Sequence, residues 1–368
     1  MKTKQLIKKI SAALTAGALG LTISFAPLPS PAADASILGA VISGGIQIAQ
    51  LNQEISYYNN NEEGRQKLFS ELQQKYGVNE DADLNGRLDT IMGNLSGAIA
   101  SVDPSINDKP YNYFVNNDTS FNAFCTLGHN MSVNTGLFNL LTNEDEIAVV
   151  LGHEMGHGQK DHPAKGMRKS MPYELIAQIY AESQGGSLGG NVVATIFANQ
   201  ATATQVTKPQ EWEADNLAFD YITHSNYNPG ACAAVWQRVI EKQGSGSSDN
   251  FIGEIFSPND HPSNEQRREN YEKKLYEYSG KHVNVKEGKV QVNGKDFTTP
   301  AAAGDMSGAE RSYFVAGNLA AAYHNGHASE DAYVGDNGTV MLGAQAIMTP
   351  AAGDASSSEL AAQLNKIK

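Results

Sequence analysis

The chain has 368 residues, with 27 lysines and arginines against 40 aspartates and glutamates, a formal net charge of −13. So acidic a balance repels phosphate backbones, which argues against a nucleic-acid partner and favours a soluble protein. Two cysteines, Cys125 and Cys232, are too few for a disulfide scaffold; one bridge and two buried free thiols both fit the sequence.

Residues 1–35 read as a signal peptide. "MKTKQLIKK" is a basic start, "ISAALTAGALGLTISFAPLP" is an apolar stretch, and Ala33-Asp34-Ala35 supplies the small residues for cleavage before Ser36. The rival reading is an uncleaved membrane anchor, since the apolar run is near the lower length limit for a span. The expectation is an exported protein, periplasmic or secreted, with no later stretch long enough to cross a bilayer.

From Ser36 to Gly280 the chain reads as one mainly helical α+β domain. "LGAVISGGIQIAQLNQEISYY", "EEGRQKLFSELQQKYG" and "LNGRLDTIMGNLSGAIASV" carry apolar residues at helical spacing. Three strand-like pieces follow, "YNYFVNN", "SFNAFC" and "NMSVNTG". Leu127-Gly128 marks a turn between the last two, which predicts a small antiparallel sheet. "NEDEIAVVLGHEMGHGQK" is predicted helical, with Asn143 as N-cap and Glu146 placed to close a capping box. "SQGGSLGGN" at 183–191 is a break, and the 165–208 connection is where a lid over a cleft would lie. "QEWEADNLAFDYITH", "PGACAAVWQRVIEKQ" and "SNEQRRENYEKKLYEYSG" predict three more helices. Beyond Gly280 the sequence repeats: "GKVQVNGKDFTTPAA" at 288–302 aligns without gaps to "GTVMLGAQAIMTPAA" at 338–352, and a helical segment follows each. Residues 281–368 are therefore read as two ββα units, 281–330 and 331–368.

The chemistry concentrates in "VVLGHEMGHGQKDH". His153 and His157 stand four residues apart, so on a helix they face the same way and can share one zinc ion at about 2.0–2.1 Å. Glu154, angled off that line, is placed to take a proton from a water whose pKa the zinc lowers to about 7. Two third ligands compete. His162 is five residues beyond His157, about 140° around a continuous helix, which is out of register and points to a helix-end or surface residue. Glu211 in "EWEAD" is the better candidate: it leaves a fourth corner for water, and Asp215, one turn on, can accept the outer ring N–H of a ligand histidine. Glu213 should face solvent.

Taken together, "HEMGH", "EWEAD", "DHPSNEQRR" and the upstream "FNAFCTLGHNMSVNTGLFNLLTNEDEIAVV" resemble the HtpX-like and CAAX-endopeptidase-like family of gluzincin zinc metallopeptidases over about residues 40–275. The resemblance implies zinc bound by His153, His157 and Glu211, Glu154 as general base, and Asp215 supporting a ligand histidine. It also implies that His261 hydrogen-bonds the oxyanion of the tetrahedral intermediate. Asn122, Ala123 and Phe124 would form a sheet edge that holds an extended peptide through its backbone. Pro209-Gln210 stands where the family often has Ser-Arg, and the C-terminal units lie outside the resemblance. The expected activity is hydrolysis of peptide bonds in proteins, with a role in envelope protein quality control. The alternative is a zinc-containing binding or chaperone-like protein without turnover. The C-terminal units are candidates for attachment to a partner or surface.

Overall fold

Helix caps and apolar stripes set the framework of the computed structural model, which describes residues 48–49, 52–169, 206–244 and 262–368. The leader, the Gly-rich stretch at 183–191, most of the 165–208 connection and His261 lie outside the described residues. Residues 52–60 are helical. α1 (Glu62–Tyr76) starts at Asn61, whose side chain accepts from the Gly64 N–H, and α2 (Ala82–Val102) starts at Asp81, which accepts from Asp83 and Leu84. These side chains satisfy first-turn donors that have no partner inside the helix. Along α2, Leu88, Ile91, Met92, Leu95 and Ile99 form the buried stripe its periodicity predicts.

The first sheet holds β1 (Asn112–Asn116), β2 (Ala123–Thr126) and β3 (Asn130–Asn134), in the order β1-β3-β2. β2 and β3 form the expected antiparallel pair. Gly128 sits between them at φ 72°, and a Cβ there would come within 2.6 Å of the Tyr58 carbonyl oxygen, so the turn requires glycine. β1 joins parallel to β3, which alternation along a single strand does not reveal. β2 is left as an edge.

After the short α3 (Thr135–Leu140) comes α4 (Glu144–Gln159), buried from Glu146 to Gly158. Asn143 caps it as expected, accepting from Asp145 and Glu146. Glu146 does not close a capping box. Its carboxylate is buried 3.2 Å from the Arg238 guanidinium, a stronger partner than its own helix terminus. α5 (Lys208–Thr223) and α6 (Ala231–Gly244) pack against α4, and α7 (Asn264–Tyr278) packs on α6 and α5. Pro209 lies in the first turn of α5, and Gln210 closes a capping box with Thr207. α4 and α5 approach closely because small residues meet: a Cβ on Gly156 would lie 3.3 Å from the backbone of Ala214, and one on Gly152 3.8 Å from Ala218. Both cysteines are buried and free.

The C-terminal region holds two three-stranded antiparallel sheets, each followed by a helix. β4 (Val283–Lys286), β5 (Lys289–Val292) and β6 (Lys295–Thr298) precede α8 (Gly308–His324); β7 (Ala332–Val334), β8 (Val340–Leu342) and β9 (Gln345–Met348) precede α9 (Ser357–Ile367). Each contains one strand more than the two expected, because β4 and β7 fall before the aligned repeat. The pairing shifts register at Val290/Gln291 in one sheet and at Val340/Met341 in the other, fifty residues on. Their apolar side chains, among them Val283, Val290, Val292, Leu319 and Leu342, share one continuous core with α2, α4, α6 and α7. Polar contacts follow the same stacking: Asp305 reaches Arg238 of α6 at 3.0 Å, and Asp354 reaches Arg311 of α8 at 2.8 Å.

Around Arg238 two buried carboxylates meet one guanidinium, since Glu310 lies 2.5 Å from the nitrogen that also faces Glu146. Burial and the neighbouring Glu310 push Glu146 up to about 8, against the pull of Arg238. A carboxyl raised in the folded state holds its proton longer than the unfolded chain does, so its contribution to stability is complete below its unfolded value of about 4.3 and is lost as pH rises towards 8. Urea midpoints are therefore expected to fall between about pH 5 and pH 8, and Glu146→Gln is expected to flatten that fall. An unchanged slope in the variant would exclude Glu146 as its source.

Candidate metal centre

His153 and His157 project from one face of α4 with their Nε2 atoms 3.0 Å apart. Glu211, in the first turn of α5, faces both: its Oε2 is 3.5 Å from His153 Nε2 and its Oε1 3.4 Å from His157 Nε2. Ligand atoms at the corners of a tetrahedron with bonds of about 2.0–2.1 Å are about 3.3–3.4 Å apart, so the donor set fits a zinc-sized ion with one corner left over. These three residues are all buried, and they are the one such group among the described residues.

Burial and Arg267 both disfavour a charged His153, but hydrogen bonds to Asp215 and Glu211 outweigh them and leave it raised to about 9. His157 is lowered, by burial first, with Glu211 pulling the other way.

Glu154 is buried beside this cluster, and its Oε2 accepts the backbone N–H of Cys125 in β2 at 3.1 Å. Burial and Glu211 push its carboxyl up to about 7, with His153 acting against them. The same bond shows which way β2 faces. Asn134 N–H donates to the Asn122 carbonyl, so Asn122 and Phe124 direct their backbone groups towards β3. Ala123 and Cys125 direct theirs outward at the edge. Of the three residues expected to hold a peptide there, only Ala123 turns its backbone outward.

Asp215 lies where the sequence expected it, with Oδ1 2.9 Å from His153 Nδ1. Sequence reading missed what holds Asp215. Arg267 of α7 grips both of its oxygens, through Nε to Oδ2 at 2.8 Å and through Nη2 to Oδ1, and Tyr271 O–H donates to Oδ1 at 3.1 Å. The guanidinium also lies 3.8 Å over the Trp236 ring. Arg267 and Tyr271 are four residues apart in "NEQRRENY", on one helix face; that spacing was the available signal.

His162 corrects an expectation. It opens the helical run 162–169, the helix-end placement expected, but it is 1% exposed rather than on the surface, and its Nδ1 is 2.9 Å from His157 Nδ1. Its Nε2 faces Glu213 Oε2 at 3.1 Å, so the half-exposed Glu213 has a partner as well as solvent. Burial and His157 lower His162 to about 4. The 140° estimate assumed one helix. α4 ends at Gln159, and Asp161, at φ 51°, reverses the chain before a new helical run over 162–169.

Residues 85–274, more than half of the chain, match the sequence profile of peptidase family M48. Among relatives, Metalloprotease LoiP of Escherichia coli is 27% identical over 165 residues, 44% of this chain and 62% of that protein. The Beta-barrel assembly-enhancing protease of Yersinia pestis is 25% identical over 142 residues, 36% of this chain and 29% of that protein. Mitochondrial metalloendopeptidase OMA1 of Saccharomyces cerevisiae is 27% identical over 178 residues, 48% of this chain and 50% of that protein. The chain therefore spans less than two thirds of the length of each. The matched span contains the helices that bring His153, His157 and Glu211 together, and by that match the chain belongs to peptidase family M48.

Proposed function

We propose that this protein is a zinc-dependent endopeptidase that hydrolyses peptide bonds in proteins. The observation that carries the reading is the convergence of two imidazoles and one carboxylate from two helices, at spacings that suit a tetrahedral ion, with no fourth ligand grouped with them among the described residues. His153, His157 and Glu211 would hold one zinc per chain. When bound, zinc supplies Lewis-acid polarisation of the scissile carbonyl and acidifies water.

The chain's own residues do the rest. Glu154 keeps Oε2 on the Cys125 N–H, which orients the carboxylate and leaves Oε1 to take a proton from the attacking water and return it to the leaving amine. Asp215, clamped by Arg267, keeps His153 in the tautomer whose Nε2 lone pair faces the ion. Ala123 offers its backbone N–H and C=O to an extended substrate strand along the β2 edge, a role we assign to it ahead of Asn122 and Phe124. His261, six residues ahead of Arg267, is retained as the donor to the oxyanion on the strength of the resemblance.

No helix among the described residues is long and apolar enough to cross a membrane. The leader-like residues 1–35 support an exported enzyme, and the similarity to a beta-barrel assembly-enhancing protease supports a role in protein quality control. The shared register shift supports reading the two C-terminal sheet-and-helix units as copies of one repeat. Their packing into the common core favours a structural role over a detachable attachment module.

Casein cleavage by the purified protein is expected to stop with a zinc chelator and return on adding zinc, with one zinc per chain by elemental analysis. Chelator-insensitive cleavage would overturn the reading. One bound zinc with no turnover would turn it to the binding-protein alternative.

A further inference from the structure

We infer that His162 and Glu213 are positioning residues that hold His157 in its metal-binding tautomer. The inference rests on the metal-site reading above and extends it to a relay, Glu213–His162–His157, in which protons can be placed in only one consistent way. His157 must present the Nε2 lone pair to the ion, because that is the nitrogen facing His153 and Glu211. Its hydrogen is therefore on Nδ1, 2.9 Å from His162 Nδ1. His162 must accept there, so its own hydrogen is on Nε2, where Glu213 Oε2 accepts it at 3.1 Å. Each imidazole nitrogen in the relay has one role, and none is left over.

A buried histidine that only filled space would need no such order. Here the chain is bent to achieve it: Asp161 sits in the left-handed region at φ 51°, held by Asn59 and Lys109 at 3.0 Å each, and that reversal carries His162 back over His157. The two ligand histidines are thus supported differently. His153 donates to a carboxylate clamped by arginine, whereas His157 donates to an imidazole backed by a half-exposed carboxylate. Outer partners of ligand histidines fix ring orientation and tautomer, and losing one weakens metal affinity by about 10–100-fold.

The test is the zinc dissociation constant of the full chain, measured by competition with a chromophoric chelator. His162→Phe fills the space but cannot accept, and is expected to weaken zinc binding by about 10–100-fold. His162→Asn places an amide oxygen near the position of Nδ1 and is expected to recover most of that loss. Glu213→Ala, at a half-exposed position that folding tolerates, is expected to weaken binding several-fold in the parent and to have no effect in the His162→Asn background. Zinc held by His162→Phe as tightly as by the parent would overturn the relay, as would equal losses in the Phe and Asn variants. A parent protein that binds no zinc would remove the metal-site reading and the relay with it.

Discussion

Glu154→Gln is expected to lower casein hydrolysis by about 10²–10⁴-fold, the usual worth of a positioned general base, while zinc content stays at one per chain. The substitution is close to isosteric, and the amide oxygen can still accept the Cys125 N–H that orients the side chain at 3.1 Å. What disappears is the capacity to take up and return a proton. Because Glu154 is not one of the three converging ligands, metal content separates a catalytic loss from a binding loss. Rates on casein, elemental analysis and thermal melting on the same preparation check the expectation. Near-parental turnover in a zinc-loaded, folded variant would remove Glu154 from the chemistry.

Deleting residues 281–368 is expected to abolish folding, not merely targeting. Val283, Val290, Val292, Tyr313, Ala316 and Leu319 are buried within the core that also contains Leu151, Trp236 and Leu275. A fully buried large apolar side chain stabilises by about 1.5–3 kcal/mol, and a domain's net stability is only about 5–15 kcal/mol. Removing one side of that core therefore exceeds the margin. The cut also strips Arg238 of Asp305 and Glu310 and removes the Phe314 carbonyl that accepts from Asn228 at 3.0 Å. The truncated chain should be insoluble or lack a cooperative melting transition, and should lose zinc and casein cleavage together. A soluble 36–280 fragment with a sharp transition and parental activity would show instead that the C-terminal units are a separable module.

The helices were legible because their signals are local. Apolar spacing and caps such as Asn61, Asp81 and Asn143 are written in consecutive residues. In the C-terminal region the strands of the aligned stretches were legible for the same reason, yet β4 and β7 were not, because they differ in sequence and precede those stretches. At the metal centre, the pairing of His153 with His157 follows from four residues of helix, and Glu211 with Asp215 follows in the same way. Arg267 was illegible as a partner because its carboxylate is 52 residues away on another helix. Glu146 went wrong through the same kind of distant competition, drawn from its own helix terminus by Arg238.

The sequence by itself determined the chemical inventory and the facing of residues within each helix, because a rise of about 1.5 Å and 3.6 residues per turn leave no freedom there. Only the tertiary structure decided that Glu211 reaches the histidines, which depends on Gly152 and Gly156 letting α5 approach α4 through Ala214 and Ala218. It also decided that His162 folds back onto His157, which depends on a single backbone reversal at Asp161 held by distant side chains. Spacing along one helix is a local property of the backbone, whereas approach between helices and the direction of a turn are set by residues that meet only in the folded chain.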